Sequence, residues 1–162
     1  MTIRPADPMD YPAILDLWNR FIRDTTVTFT SEQKTETGLA EMIATRRAAG
    51  KEFLVAELGG VFAGFATYAQ FRGGNGYAHA MEHSIMLEPA TTGQGIGRRL
   101  MRAIEDHARA SGAHTLFAGV SGENPAGEAF HASQGFRVVA RIPEVGRKFD
   151  RWLDLVLMMK HL

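Results

Sequence analysis

Glu82, His131 and Arg72 are the side chains in this chain best suited to proton and carboxylate chemistry. The glycine-rich turn at residues 92–97 is best suited to hold phosphate. Glu82 lies in a strand-like run that leads into that turn, so a general base would stand close to a bound anion. Alternate residues of a strand share a face. Glu82, Ser84, Met86 and Glu88 therefore share one face, and His79, Met81, His83, Ile85 and Leu87 the other. A solvated edge-strand glutamate is the competing reading. His131 offers a proton donor or a surface imidazole. Arg72 lies in the loop Phe71-Arg72-Gly73-Gly74-Asn75-Gly76. It offers a bidentate grip on a carboxylate, or a guanidinium merely solvated.

The turn reads Thr92-Gly93-Gln94-Gly95-Ile96-Gly97. Pro89 ends the strand before it, and Ile96, Leu100, Met101 and Ile104 follow at helical spacing. Free N–H groups and the positive end of the helix dipole converge at such a junction, and its usual biological anion is phosphate. Arg98, Arg99 and Arg102 add positive charge there. No Walker loop is present, and Arg98 stands where a dinucleotide fingerprint needs its third glycine. A glycine turn without a ligand is the plain alternative.

Asn124 precedes Pro125 at the start of a short helical run. It fits an N-cap, and its amide also suits a peptide-like group of a ligand. His79 and His83 would lie about 13 Å apart on a strand, too far to share a metal ion. No metal site is expected. Gly119-Val120-Ser121-Gly122 lacks the spacing of a serine nucleophile elbow.

These residues need a scaffold. The 162 residues suggest one domain, 1–162, with a sizeable core. Eighteen basic and eighteen acidic residues balance, which argues against nucleic acid or an anionic membrane as partner. Without cysteine, disulfides and thiolate chemistry are excluded. The N-terminus has no apolar signal core, and a cytoplasmic protein is the default expectation. Strands are expected at Thr2–Arg4, Phe53–Leu58, Val61–Phe71, Tyr77–Glu88, Thr115–Val120, Phe136–Arg141 and Trp152–Met159. Helices are expected from Asp7 to Arg23, Thr35 to Ala49, Gly95 to Ala110 and Ala126 to Gln134. Ile142–Arg151 reads as a charged loop. The order βααβββαβαββ mixes hairpins with crossover helices, so a mixed α/β sheet with helices on both faces follows.

With the pieces placed, the chain resembles the GNAT superfamily of N-acetyltransferases over nearly its full length. The turn from Thr92 to Gly97 resembles that superfamily's Gln/Arg-x-x-Gly-x-Gly/Ala signature, with Thr92 at the departing first position. Asn124 to His131 with Gly135-Phe136 resembles its second cofactor-binding segment. Within the superfamily, Phe71-Arg72, Tyr77 to Ser84, His131 and the run Glu144 to Met158 resemble the phosphinothricin and methionine sulfoximine/sulfone acetyltransferases. The resemblance implies a mostly antiparallel sheet and acetyl-CoA as co-substrate. Ile85, Met86 and Leu87 would hold the pantetheine arm, and Gly93, Gln94, Gly95, Ile96, Gly97 and Arg98 the pyrophosphate. Asn124 and Ser133 would line the rest. It implies an acceptor pocket of Phe29, Arg72, Gly73, Gly74, Glu82 and His83 for a small amino-acid-like amine. Glu82 would be the base, and His131 the thiolate's proton donor or an orienting group. A homodimer is also implied. A non-catalytic acyl-CoA-binding module and an acetyltransferase for peptide or protein amines are the alternatives.

Overall fold

The computed structural model describes residues 1–162. Seven strands form one sheet in the order β1-β2-β3-β4-β5-β7-β6. They are β1 (Thr2–Pro5), β2 (Phe53–Leu58), β3 (Val61–Gln70), β4 (Ala80–Leu87), β5 (Thr115–Ser121), β6 (Arg137–Lys148) and β7 (Arg151–His161). Four α-helices pack on it: α1 (Tyr11–Asp24), α2 (Glu36–Ala48), α3 (Ile96–Ala110) and α4 (Pro125–Ser133). The order and mixed architecture are those expected from the sequence. Every strand pair is antiparallel except β4 with β5.

Two apolar clusters sandwich the sheet. Ile14, Leu17, Trp18 and Ile22 of α1, with Leu39 and Ile43 of α2, cover Phe53, Val55, Phe65 and Met86 on one face. Ile96, Leu100, Met101 and Ile104 of α3 cover Met81, Leu116, Val120 and Val156 on the other. Each such buried aliphatic side chain contributes about 1.5–3 kcal/mol relative to exposure. The split of β4 between the clusters, Met81 to one and Met86 to the other, follows the alternation read from the sequence.

The parallel pairing of β4 with β5 lasts for three residues: Ala80 with Thr115, Met81 with Leu116 and Glu82 with Phe117. Beyond it the strands diverge, while β4 stays paired with β3 to Leu87. The sheet therefore opens a wedge in its middle, and Glu82 stands at the apex.

Several boundaries differ from expectation: Pro8–Asp10 form a 3-10 turn before α1, and β7 runs on to His161. β4 begins at Ala80, since Asn75–Tyr77 form a 3-10 turn. More notably, Ile142–Lys148 continues β6 and does not form a loop. Pro143 is tolerated because β6 is the edge of the sheet. The register shifts between Val138 and Ala140, and again between Ile142 and Gly146, erase the apolar alternation that would mark a strand. Phe149 and Asp150 close the hairpin, both with positive φ (50° and 58°). That is the two-residue hairpin conformation normally announced by Asn-Gly.

Candidate active site

The wedge opens into a cavity of about 670 Å³. Glu82 to Leu87 of β4 and Ala118 to Ser121 of β5 form its sides. Val27, Thr28 and Phe29 of the α1–α2 segment close it on one side, and Asn124, Gly127, Phe130 and His131 on another. The cavity thus gathers Phe29, Glu82, His83, Ile85, Met86, Leu87, Asn124 and His131, which the sequence singles out. Arg72, Gly73 and Gly74 are not among its lining residues. The Arg72 guanidinium instead lies over the Tyr77 ring, 5.5 Å from its centroid. Gln70 fixes that loop by donating to the carbonyls of Arg72 and Gly74.

Glu82 is exposed to the cavity, and the walls around it only partly shield its carboxyl from water. Desolvation holds its pKa above the usual carboxylate value. Its carboxylate lies over Gly119 of β5, where a Cβ would sit 3.0 Å from Oε1. The glycine leaves the room that this rotamer needs. Phe71 stacks on Phe117 beside it, with centroids 4.1 Å apart.

His131 lies across the wedge on α4. Its Nδ1 is 2.7 Å from the Gly127 carbonyl, which can only accept, so Nδ1 carries the proton. Nε2 is then a bare acceptor, and it is buried without a partner. Desolvation lowers the pKa of His131, with the Gly127 bond opposing. His83 packs against it at 5.0 Å between centroids, with both ring nitrogens unpartnered. Desolvation, then the neighbouring His131, pushes His83 far down as well. The two imidazoles are a neutral pair at neutral pH. His79 lies apart, its Nδ1 2.7 Å from the Gly112 carbonyl, and no group of three or more metal-ligating side chains forms.

Strand alternation also decides which backbone groups face the wedge. The Ala80 carbonyl and the Glu88 N–H bond toward β3. Residues 82, 84 and 86 share that direction, leaving His83, Ile85 and Leu87 to present N–H and C=O to the opening. Met86 therefore contributes a buried side chain, and its carbonyl lies close against Gly64 of β3.

At the far end, Gly93 and Gly95 both take positive φ (81° and 76°). Nothing lies within 4 Å of a Cβ at either, so the conformation and not the space requires glycine. No side chain caps α3, whereas Thr35 caps α2 and Asn124 caps α4 by accepting from Gly127. The first N–H groups of α3 are thus available to an anion. Arg98 and Ser133 meet in an adjoining polar hollow of about 660 Å³ that also holds Arg99 and Arg102. The acids there are already engaged, Glu105 by Lys160 and Asp106 by Arg109. Asn124 is both cap and cavity wall, as its position suggested.

The split sheet thus brings together a carboxylate at its apex, strand N–H groups that face the opening and a glycine turn leading into an uncapped helix. Residues 14–136 match the acetyltransferase (GNAT) family, and the chain belongs to it. The L-methionine sulfoximine/L-methionine sulfone acetyltransferase of Salmonella typhimurium is 36% identical over 162 residues, covering 100% of this chain and 95% of that protein. Two solved structures superpose closely. One is yncA, a putative acetyltransferase from Salmonella typhimurium with its cofactor acetyl-CoA (TM-score 0.95, 36% identity, 100% and 94% of the two chains). The other is ribosomal-protein-alanine N-acetyltransferase from Brucella melitensis (TM-score 0.96, 35% identity, 100% of each chain).

Lys148 and Gly119 carry geometry that sequence reasoning missed. Lys148 lies in a run whose charges read as a loop, and Gly119 matches no motif in its own strand.

Proposed function

We propose that this chain transfers the acetyl group of acetyl-CoA to the amine of a small amino-acid-like acceptor of the methionine sulfoximine, methionine sulfone or phosphinothricin type. The observation that carries it is the Glu82 carboxylate, seated over Gly119 at the apex of the β4–β5 wedge and facing the cavity. The acceptor arrives as an ammonium and cannot attack until it loses a proton. Glu82 takes that proton, directly or through water. The freed nitrogen lone pair bonds to the thioester carbonyl carbon, and the electrons shift to its oxygen. An N–H of Ile85 or Leu87 facing the wedge stabilises this oxyanion. The attacking nitrogen gives up its second proton as the carbon–sulfur bond breaks, and the departing CoA thiolate takes up one proton, leaving the amide and free CoA thiol. The turn at Gly93–Arg98 holds the pyrophosphate.

Of the two roles considered for His131, its bound Nδ1 proton and buried Nε2 favour orientation over direct acid catalysis. His131 and His83 together form a dry wall against the cavity. In this reading Arg72, which lies over the Tyr77 ring, pairs with the acceptor's carboxylate.

Release of free CoA thiol is the test. Incubation with acetyl-CoA and each of the three acceptors should yield thiol and the N-acetyl product in equal amounts. No thiol with any of them would sink the reading. Transfer to an alanine-terminated peptide alone would move the assignment to protein acceptors. Acetyl-CoA binding without transfer to any amine would leave a binding module. We also propose a homodimer, because Val145, Phe149 and Trp152 expose apolar surface together at the β6–β7 end. Sedimentation at the mass of one 17.8 kDa chain would refute it.

A further inference from the structure

Between residues 26 and 34 the backbone makes no hydrogen bond to other backbone. The segment nonetheless supplies Val27, Thr28 and Phe29 to the cavity wall. Side chains must hold it. At its far end Asn19 both donates to the Lys34 carbonyl and accepts from the Lys34 N–H. At its near end the main support comes from the tip of the β6–β7 hairpin. Lys148 Nζ donates to the carbonyls of Thr25 and Thr28, at 2.6 and 2.8 Å. Phe29 lies flat against Gly146, where any Cβ would overlap the ring. Thr26 donates to Glu123, which Arg151 holds in a two-pronged ion pair.

Lys148 is 5% exposed and has no carboxylate partner. A buried ammonium is costly, and here its hydrogen bonds to two backbone carbonyls offset that cost. What lysine provides there is a fixed geometry for two carbonyls that flank the cavity-lining residues.

We propose that the tip of the β6–β7 hairpin clamps residues 25–29 as one wall of the acceptor cavity, with Lys148 as its positioning residue. The part concerning the acceptor rests on the proposed function. The clamp itself rests on contacts at Lys148 and Gly146. Lys148 touches neither the base nor the phosphate turn. Its influence therefore falls on how the acceptor is seated, and much less on how acetyl-CoA binds.

The experiment compares wild type with Lys148→Met, which keeps the aliphatic stem and removes the donors. Hydrogen exchange of the Thr25 and Val27 amides, which donate to the Phe21 carbonyl and the Thr25 hydroxyl, should accelerate by about ten-fold or more. The KM for methionine sulfoximine should rise by about ten-fold, with the KM for acetyl-CoA within about two-fold. Exchange and acceptor KM both within about two-fold of wild type overturn the proposal. An equal rise in both KM values also overturns it, since that marks a general structural loss. Arg151→Met, at an exposed residue, should shift exchange and acceptor KM the same way by less. It decides the matter if Lys148→Met does not fold, with no change counting against the clamp. If wild type acetylates no small amine, the proposed function fails, while the exchange measurement still decides the clamp.

Discussion

Glu82→Gln is expected to lower kcat by about 10²-fold or more while leaving acetyl-CoA affinity within about two-fold. The substitution keeps the side chain's shape over Gly119 and removes only its basicity. Stopped turnover assays and calorimetric titration with acetyl-CoA read the two quantities separately. The pH dependence gives a second readout. In the proposed mechanism only an ionised Glu82 takes the ammonium proton, and desolvation raises its pKa. A raised pKa means that more of the enzyme is protonated, and idle, at a given acidic pH. Activity should therefore fall on acidification through a limb lying above the ordinary glutamate value of about 4.3. That limb should vanish in Glu82→Gln. Turnover unchanged by the substitution would remove Glu82 from the role of base.

Trp18→Ala should cost about 3–5 kcal/mol of stability, the usual range for losing a large aromatic from a core. Trp18 is 6% exposed. Its ring meets Phe65 at 5.0 Å and Phe53 at 6.1 Å, and Lys34 sits 4.4 Å above its centroid. The same residue forms part of the cavity wall, so the void would open beside the site. For a chain of this size the loss corresponds to a fall in Tm of about 10 °C. Differential scanning calorimetry gives the answer directly. A fall of less than about 3 °C would show that neighbouring side chains collapse into the space.

The sequence made the strongest features of this molecule legible because they are local. Gly93 and Gly95 announce a turn, the spacing from Ile96 to Ile104 announces a helix, and the alternation about Glu82 sets the faces of β4. All three are matters of a few consecutive residues. The wedge itself depends on β5, more than thirty residues later, and on where its pairing with β4 stops. No periodicity records that. Gly119 looked unremarkable because its reason is a carboxylate from another strand. Lys148 was hidden twice, by an edge strand broken with bulges and by a hairpin turn built from Phe149 and Asp150 without glycine. Arg72 is exposed, with its guanidinium over Tyr77 and its carbonyl held by Gln70, contacts that its glycine-rich surroundings do not announce.

The parting of β4 from β5 also gives this protein two extra sheet margins, and they lie in its interior. Outer margins in natural sheets are blunted by charges, prolines and bulges, as Pro143 and the register shifts of β6 show here. The inner margin of β4 has no such protection. Its amides at His83, Ile85 and Leu87 have no strand partner across the opening and so are able to pair with an extended chain. Any extended, amide-bearing molecule that fills the opening would cover this inner margin as an added strand does.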